Sequence, residues 1–124
     1  MIGTNKTKKK RQHDRFKAQA ETYAAIVNDS IKVGQILNIS KGGLAFSYIA
    51  KEDQLIGWHK MNIFLSGNHF YLKELPFNAI SDFLMDNNTQ FSTVFMKQCG
   101  GQFGGLTSSQ ITQLEYFIAN HTIS

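Results

Sequence analysis

Two clusters of side chains in this 124-residue chain have the types and spacing for molecular recognition. The first is Arg11-Gln12-His13-Asp14-Arg15, two arginines four positions apart. The second is Asn38-Ile39-Ser40-Lys41-Gly42-Gly43, an amide, a hydroxyl and a glycine in the order NxSxxG, about 23 residues after Arg15. A guanidinium is a permanently charged planar fork. It pairs bidentately with a phosphate or with the Hoogsteen edge of a guanine, and it stacks on a purine face. Asn and Ser add directional hydrogen bonds, and Gly allows close backbone approaches and angles closed to other residues. Either cluster alone is a weak signal, because basic tails often carry arginines and Asn-x-Ser before glycines is a common turn composition. Together they describe a pocket for an anion and a purine.

Other chemistries find no support in the residues. The four His are scattered without Cys/His ligand spacing, so no metal is expected. There is no Ser/His/Asp arrangement, nucleophile elbow or P-loop. The expectation is a non-enzyme without a cofactor. Cys99, the only cysteine, reads as a core strand residue, and its solitude weakly favours a reducing compartment. Trp58 reads as a barrel-edge or partner-facing residue.

Charge is unevenly distributed. Residues 1–17 carry seven Lys and Arg against Asp14 alone, a net +6. The rest carries six Lys against eight acids, a net −2, which gives the chain its formal +4. A basic leader on a mildly acidic body suits an anionic partner. No apolar stretch follows the leader as in a secretory signal, and none approaches the ~18 residues of a membrane span. A cytoplasmic location without a membrane span is expected.

The elements that must position these clusters read mostly as strands. Residues 1–18 form a polar, flexible segment that carries the arginine pair, and residues 19–124 form a single folded domain. Segments 20–28, 31–39, 44–49, 60–65, 69–75, 77–85 and 90–97 have strand patterning, broken by Asn28-Asp29-Ser30, the Ser40–Gly43 stretch, Gly67 and Asp86–Thr89. In 31–39, Ile31, Val33, Gln35, Leu37 and Ile39 alternate onto one side. A tight hairpin at Gly67 would place His59 near Leu75. Pro76 belongs at an edge or kink. The Gly100-Gly101 and Gly104-Gly105 pairs permit a bend or bulge. Thr107-Ser108-Ser109-Gln110 predicts a capping box with a Leu106/Ile111 staple. Ile111, Leu114, Phe117 and Ile118 then form the apolar stripe of one helix. Many short strands and a terminal helix predict a mainly β barrel closed by that helix.

The pairing of RxxxR with NxSxxG, followed by Leu44-Ala45-Phe46 and by the ending CGGQFGGLTSSQITQLEYFI, resembles the PilZ family of bacterial cyclic di-GMP receptors. The resemblance spans roughly Lys10 to Ile118. It implies a six-stranded antiparallel β-barrel with a C-terminal α-helix. It also implies a cyclic di-GMP site in which Arg11 and Arg15 grip phosphate and guanine, Asn38 and Ser40 hydrogen-bond a base and nearby backbone, and Gly43 lets the chain approach the ligand. Lys10, Lys41 and Gly42 are possible secondary contacts, and the neighbourhood of Lys10 bears on whether one ligand or a stacked pair binds. The sequence departs from many relatives at Lys97-Gln98, where Arg is frequent, which bears on peripheral contacts. The implied function is a second-messenger receptor that orders its N-terminal segment on binding and signals to an effector protein. Two alternatives remain: a small β-barrel that binds nucleic acid through its Lys-rich leader, which ranks lower, and a PilZ-like protein-interaction adaptor that binds no nucleotide.

Overall fold

The computed structural model describes residues 14–27, 31–50, 54–67, 70–85 and 95–123. In chain order the elements are β1 (Phe16–Ala18), β2 (Thr22–Val27), β3 (Ile31–Ser40), β4 (Gly43–Ala50), β5 (Gly57–Leu65), β6 (Tyr71–Leu84), β7 (Phe95–Phe103), α1 (Ser108–Asn120) and β8 (Thr122–Ile123). The strands hydrogen-bond in the order β2-β5-β6-β7-β4-β3, and β2 also pairs with β3, which closes a six-stranded antiparallel barrel. Closure leaves no free edge among those six strands. β1 and β8 extend the sheet beyond β3.

The core follows from period-two alternation. Leu44, Phe46 and Tyr48 of β4 point inward, as do Met61, Ile63 and Leu65 of β5 and Leu72, Leu75, Phe77 and Ala79 of β6. Phe46 meets Phe77 edge-on, with centroids 6.5 Å apart. Asp82 also points into the barrel. Its carboxylate accepts from Tyr48 Oη at 2.6 Å, the Leu55 amide at 2.7 Å and Lys97 Nζ at 3.0 Å. The Asp82 and Lys97 side chains are 0% and 7% exposed. Lys97, expected to bear on peripheral contacts, therefore places its ammonium inside the barrel.

Three bulges modify the simple alternation, and the first corrects the expected phase of β3. Ile36 pairs with Phe46 but Asn38 pairs with Ala45, so Leu37 is an extra residue. Before it, Ile31 and Val33 are 66% and 46% exposed; after it, Ile39 is fully buried. The five alternating residues thus do not share a side, because the inserted residue switches the face. A second bulge lies where Met61 pairs with Leu75 but Ile63 pairs with Leu72. It moves His59 opposite Phe77 rather than near Leu75. Glu74 in this bulge has φ 60°, and Asn62 Oδ1 accepts its amide proton at 2.9 Å. The third bulge lies between Ala79 and Ser81, opposite Gly101 and Gly100. Pro76 sits inside β6, paired with Lys60, and its carbonyl accepts from the Gly104 amide at 2.8 Å where β7 turns away.

The helix starts as its sequence predicts. Thr107 is the N-cap, with Gln110 N donating to Thr107 Oγ1 and Thr107 N donating to Gln110 Oε1. Leu114 and Phe117 are buried, Ile118 packs at the margin, and Ile111 is more exposed than the stripe suggests. Gln110 Nε2 also donates to the Lys73 and Glu74 carbonyls, fastening the helix start to the β6 bulge. After Asn120 the chain turns, Thr122 Oγ1 donates to the Ile118 carbonyl at 2.7 Å, and β8 joins β1.

Candidate functional site

The bulge at Leu37 builds the site. Leu44 and Phe46 belong to the core, so their neighbour Ala45 and its partner Asn38 face outward. Without the extra residue, Asn38 would share the inward phase of Ile36. Two residues on, Ser40 closes the β3–β4 turn. Its hydroxyl accepts from the Gly42 amide at 3.1 Å and donates to the Gly43 carbonyl at 3.4 Å. The Gly42 carbonyl accepts from the Phe103 amide at 2.8 Å, which ties the turn to the end of β7. Lys41, at the tip, pairs with Glu115 of α1 at 3.6 Å. Both side chains are more than half-solvated or close to it, so this pair contributes little to stability.

Gly43 is needed by the barrel. A Cβ there would stand 2.1 Å from the Gly101 carbonyl oxygen across the β4–β7 ladder. Its φ is not in the left-handed region, where the described glycines are Gly57 and Gly67. Close strand approach, rather than a special turn angle, selects glycine here.

The arginine arrives immediately before β1. Phe16 pairs with Ile39 and Lys17 with Asn38, so the same register carried back one residue sets Arg15 against Ser40. Ala18 is buried in the core and Phe16 is half-buried, which turns Arg15 and Lys17 to the outer face. Arg15 Nη1 donates to Asn38 Oδ1 at 2.8 Å. This contact joins diagonal neighbours on one sheet face, a separation a long side chain spans easily. β1 itself lies within residues 1–18, the range expected to be flexible.

Arg15, Asn38, Ser40 and Gly43 therefore meet at one corner, with Gly42 and Lys41 on its rim. Arg11 and Lys10 lie outside the described residues. Sequence reasoning missed Lys17, which stands beside Arg15 on the same face and directly opposite Asn38. Its signal was the i, i+2 spacing from Arg15, visible only once β1 is recognised as a strand.

The corner is suited to holding a ligand. An exposed guanidinium, an ammonium and an amide present donors to an anion or a base edge. Cys99 is far from such a role: burial first, and then the Asp82 carboxylate, push its thiol up to about 12, against a smaller lowering by Lys97. Among the described residues, no group of three His, Cys, Asp or Glu is placed to hold a metal ion. No described helix is long and apolar enough to cross a membrane.

No family model and no curated protein matches the sequence. Solved structures do match the fold. The PilZ domain of YcgR from Escherichia coli, with c-di-GMP, aligns with a TM-score of 0.70 and 13% identity over 91% of this chain and 92% of that one. The MrkH–c-di-GMP complex of K. pneumonia aligns with a TM-score of 0.63 and 15% identity over 90% of this chain and 52% of MrkH. Apo MrkH gives 0.61 and 14%, over 91% and 50%. The chain thus spans about half the length of MrkH and nearly all of the YcgR domain. Its barrel and closing helix have the PilZ fold.

Proposed function

We propose that the chain is a receptor for cyclic di-GMP that binds at the Arg15–Asn38–Ser40 corner and performs no catalysis. The observation that carries the reading is the Arg15–Asn38 contact, which unites the two sequence clusters on the outer face of a PilZ-type barrel. The c-di-GMP-bound YcgR and MrkH structures of the same fold support it. In this reading Arg15 leaves Asn38 or shares it to grip phosphate and a guanine Hoogsteen edge, and Arg11 completes the grip from the leader. Asn38 meets a base, Ser40 and Gly43 hold the corner in shape, and Lys10, Lys17, Lys41 and Gly42 add peripheral contacts.

The magnitudes suffice. A hydrogen bond to a charged group contributes about 1.5–3 kcal/mol net, and guanidinium stacking adds about 0.5–2. Micromolar affinity requires about 8 kcal/mol. Two arginines and two polar groups reach that total after a few kcal/mol of ordering are subtracted. Binding orders the N-terminal segment over the corner and creates a surface for a cytoplasmic effector protein.

Calorimetry with cyclic di-GMP tests the reading. Wild type is expected to bind near micromolar or tighter, and Arg15→Ala and Ser40→Ala to lose roughly tenfold or more, about 1.4 kcal/mol. Equal binding of GMP or single-stranded DNA, surviving both substitutions, would replace the receptor with a general polyanion binder. Unchanged amide exchange over residues 5–13 at saturating ligand would remove the ordering step.

A further inference from the structure

We infer that the C-terminal strand β8 is a positioning element for the ligand arm: it holds β1, and through β1 it holds Arg15. The inference rests on the proposed ligand reading, but its structural basis is separate. β1 is three residues long, the short end of the strand range, so each ladder it joins carries a large share of its stability. It is flanked on both sides, with Lys17 facing Asn38 of β3 on one side and Ile123 of β8 on the other. The Gln19 amide donates to the His121 carbonyl at 3.0 Å, adding a bond just beyond the paired residues.

β8 is in turn fixed by the helix. The His121 amide donates to the Phe117 carbonyl at 2.8 Å, and Thr122 Oγ1 donates to the Ile118 carbonyl at 2.7 Å. The His121 ring packs among Phe70, Tyr116 and Phe117, with centroids 5.5–6.1 Å away. A continuous set of contacts therefore runs from the buried face of α1 through His121–Ile123 to β1, and ends at the guanidinium on Asn38. Losing β8 leaves β1, which Arg15 immediately precedes, with one neighbour. The arm then samples conformations that do not bind, and affinity falls by the fraction of time spent in them.

Ile123→Pro tests this. Ile123 is 51% exposed, so the change removes a strand donor without opening the core. In ligand-free protein, amide exchange at Phe16–Ala18 should accelerate while β4 and β7 stay protected. Affinity for cyclic di-GMP should fall roughly tenfold, the equivalent of one or two net backbone hydrogen bonds. In an Arg15→Ala background the same substitution should cost clearly less than in wild type, because the element acts chiefly through Arg15. A merely structural role would give the same loss in both backgrounds, and that additivity overturns the inference. So does wild-type affinity in Ile123→Pro, or unchanged exchange at Phe16–Ala18. If Ile123→Pro fails to fold, Thr122→Val, which removes only the bond to Ile118, carries the same three measurements. No binding by wild type sinks the receptor reading, and the ligand part of this inference falls with it. Wild-type binding with indifferent variants sinks this inference alone.

Discussion

Gly43 separates two explanations of a motif glycine, and Gly43→Ala distinguishes them. If the glycine serves the ligand alone, alanine spares the fold and harms binding. The structure gives the barrel the larger claim. The added Cβ would lie 2.1 Å from the Gly101 carbonyl oxygen and 3.0 Å from Gln102 Cα. Both are backbone atoms, so no rotamer change relieves the contact, and β4 and β7 must part by about 1 Å. Overpacking a tight site costs about 1–3 kcal/mol. The parting also strains the end of the ladder, including the Phe103–Gly42 bond, for about 1 kcal/mol more. The expected loss is about 2–4 kcal/mol from a total of about 5–15, or roughly a 10 °C fall in Tm for a chain of this length. Urea unfolding measures it, with Gly105→Ala as a control because nothing lies within 4 Å of a Cβ there. A Gly43→Ala protein within about 0.5 kcal/mol of wild type would refute the packing argument, and a lost ligand affinity beside it would return the glycine to the ligand.

Three further perturbations probe the scaffold. Lys97→Met leaves the buried Asp82 carboxylate with only the Tyr48 and Leu55 donors of the three described. It should cost about 3–5 kcal/mol in urea unfolding, part of it restored by adding Asp82→Asn; a loss under about 1 kcal/mol would contradict the burial of the pair. Glu74→Gly should stabilise the protein by about 1 kcal/mol, because glycine holds φ 60° without a Cβ clash, provided the Asn62 contact to the amide persists. The raised thiol of Cys99 makes stability depend on alkaline pH. The unfolded thiol ionises near 9 while the folded one stays protonated to about 12, so its contribution is complete below pH 9 and declines from there towards 12. Cys99→Ala should flatten that decline in a pH series of melting curves, and an unaltered slope would show that another group causes it.

The parts of the fold legible in the sequence are those specified by near neighbours. Thr107 and Gln110 announce the helix because a capping box is local, and Leu114 and Phe117 give its buried face. The long strands show in their apolar alternation. What escaped depends on distant partners. β1 is a strand only because β3 and β8 flank it, and three residues beside a charged leader carry too little pattern to reveal that. The extra residue at Leu37 is visible only against β4, so the phase of Ile31 and Val33 was misread. Lys97 looks like a surface charge until Asp82, 15 residues away, is seen to face it. At the site, the residue types pointed to the corner, while the Arg15–Asn38 contact and the presence of Lys17 required the register of β1.

The outward turn of Asn38 has a consequence for how such a protein can change over time. The proposed binding groups and the core groups occupy opposite sides of the same wall, one strand thick. Substitutions at Asn38, Arg15 or Lys17 on the outer face leave Ile36, Ile39 and Leu44 untouched, and exchanges among those inner residues leave the corner intact. Ser40 and Gly43 stand at the seam between the two, through the hydrogen bonds of the turn and the close approach to Gly101. At 13% identity the chain still superposes on the YcgR domain with a TM-score of 0.70, as expected where the inner face sets the fold and the outer face is free to differ.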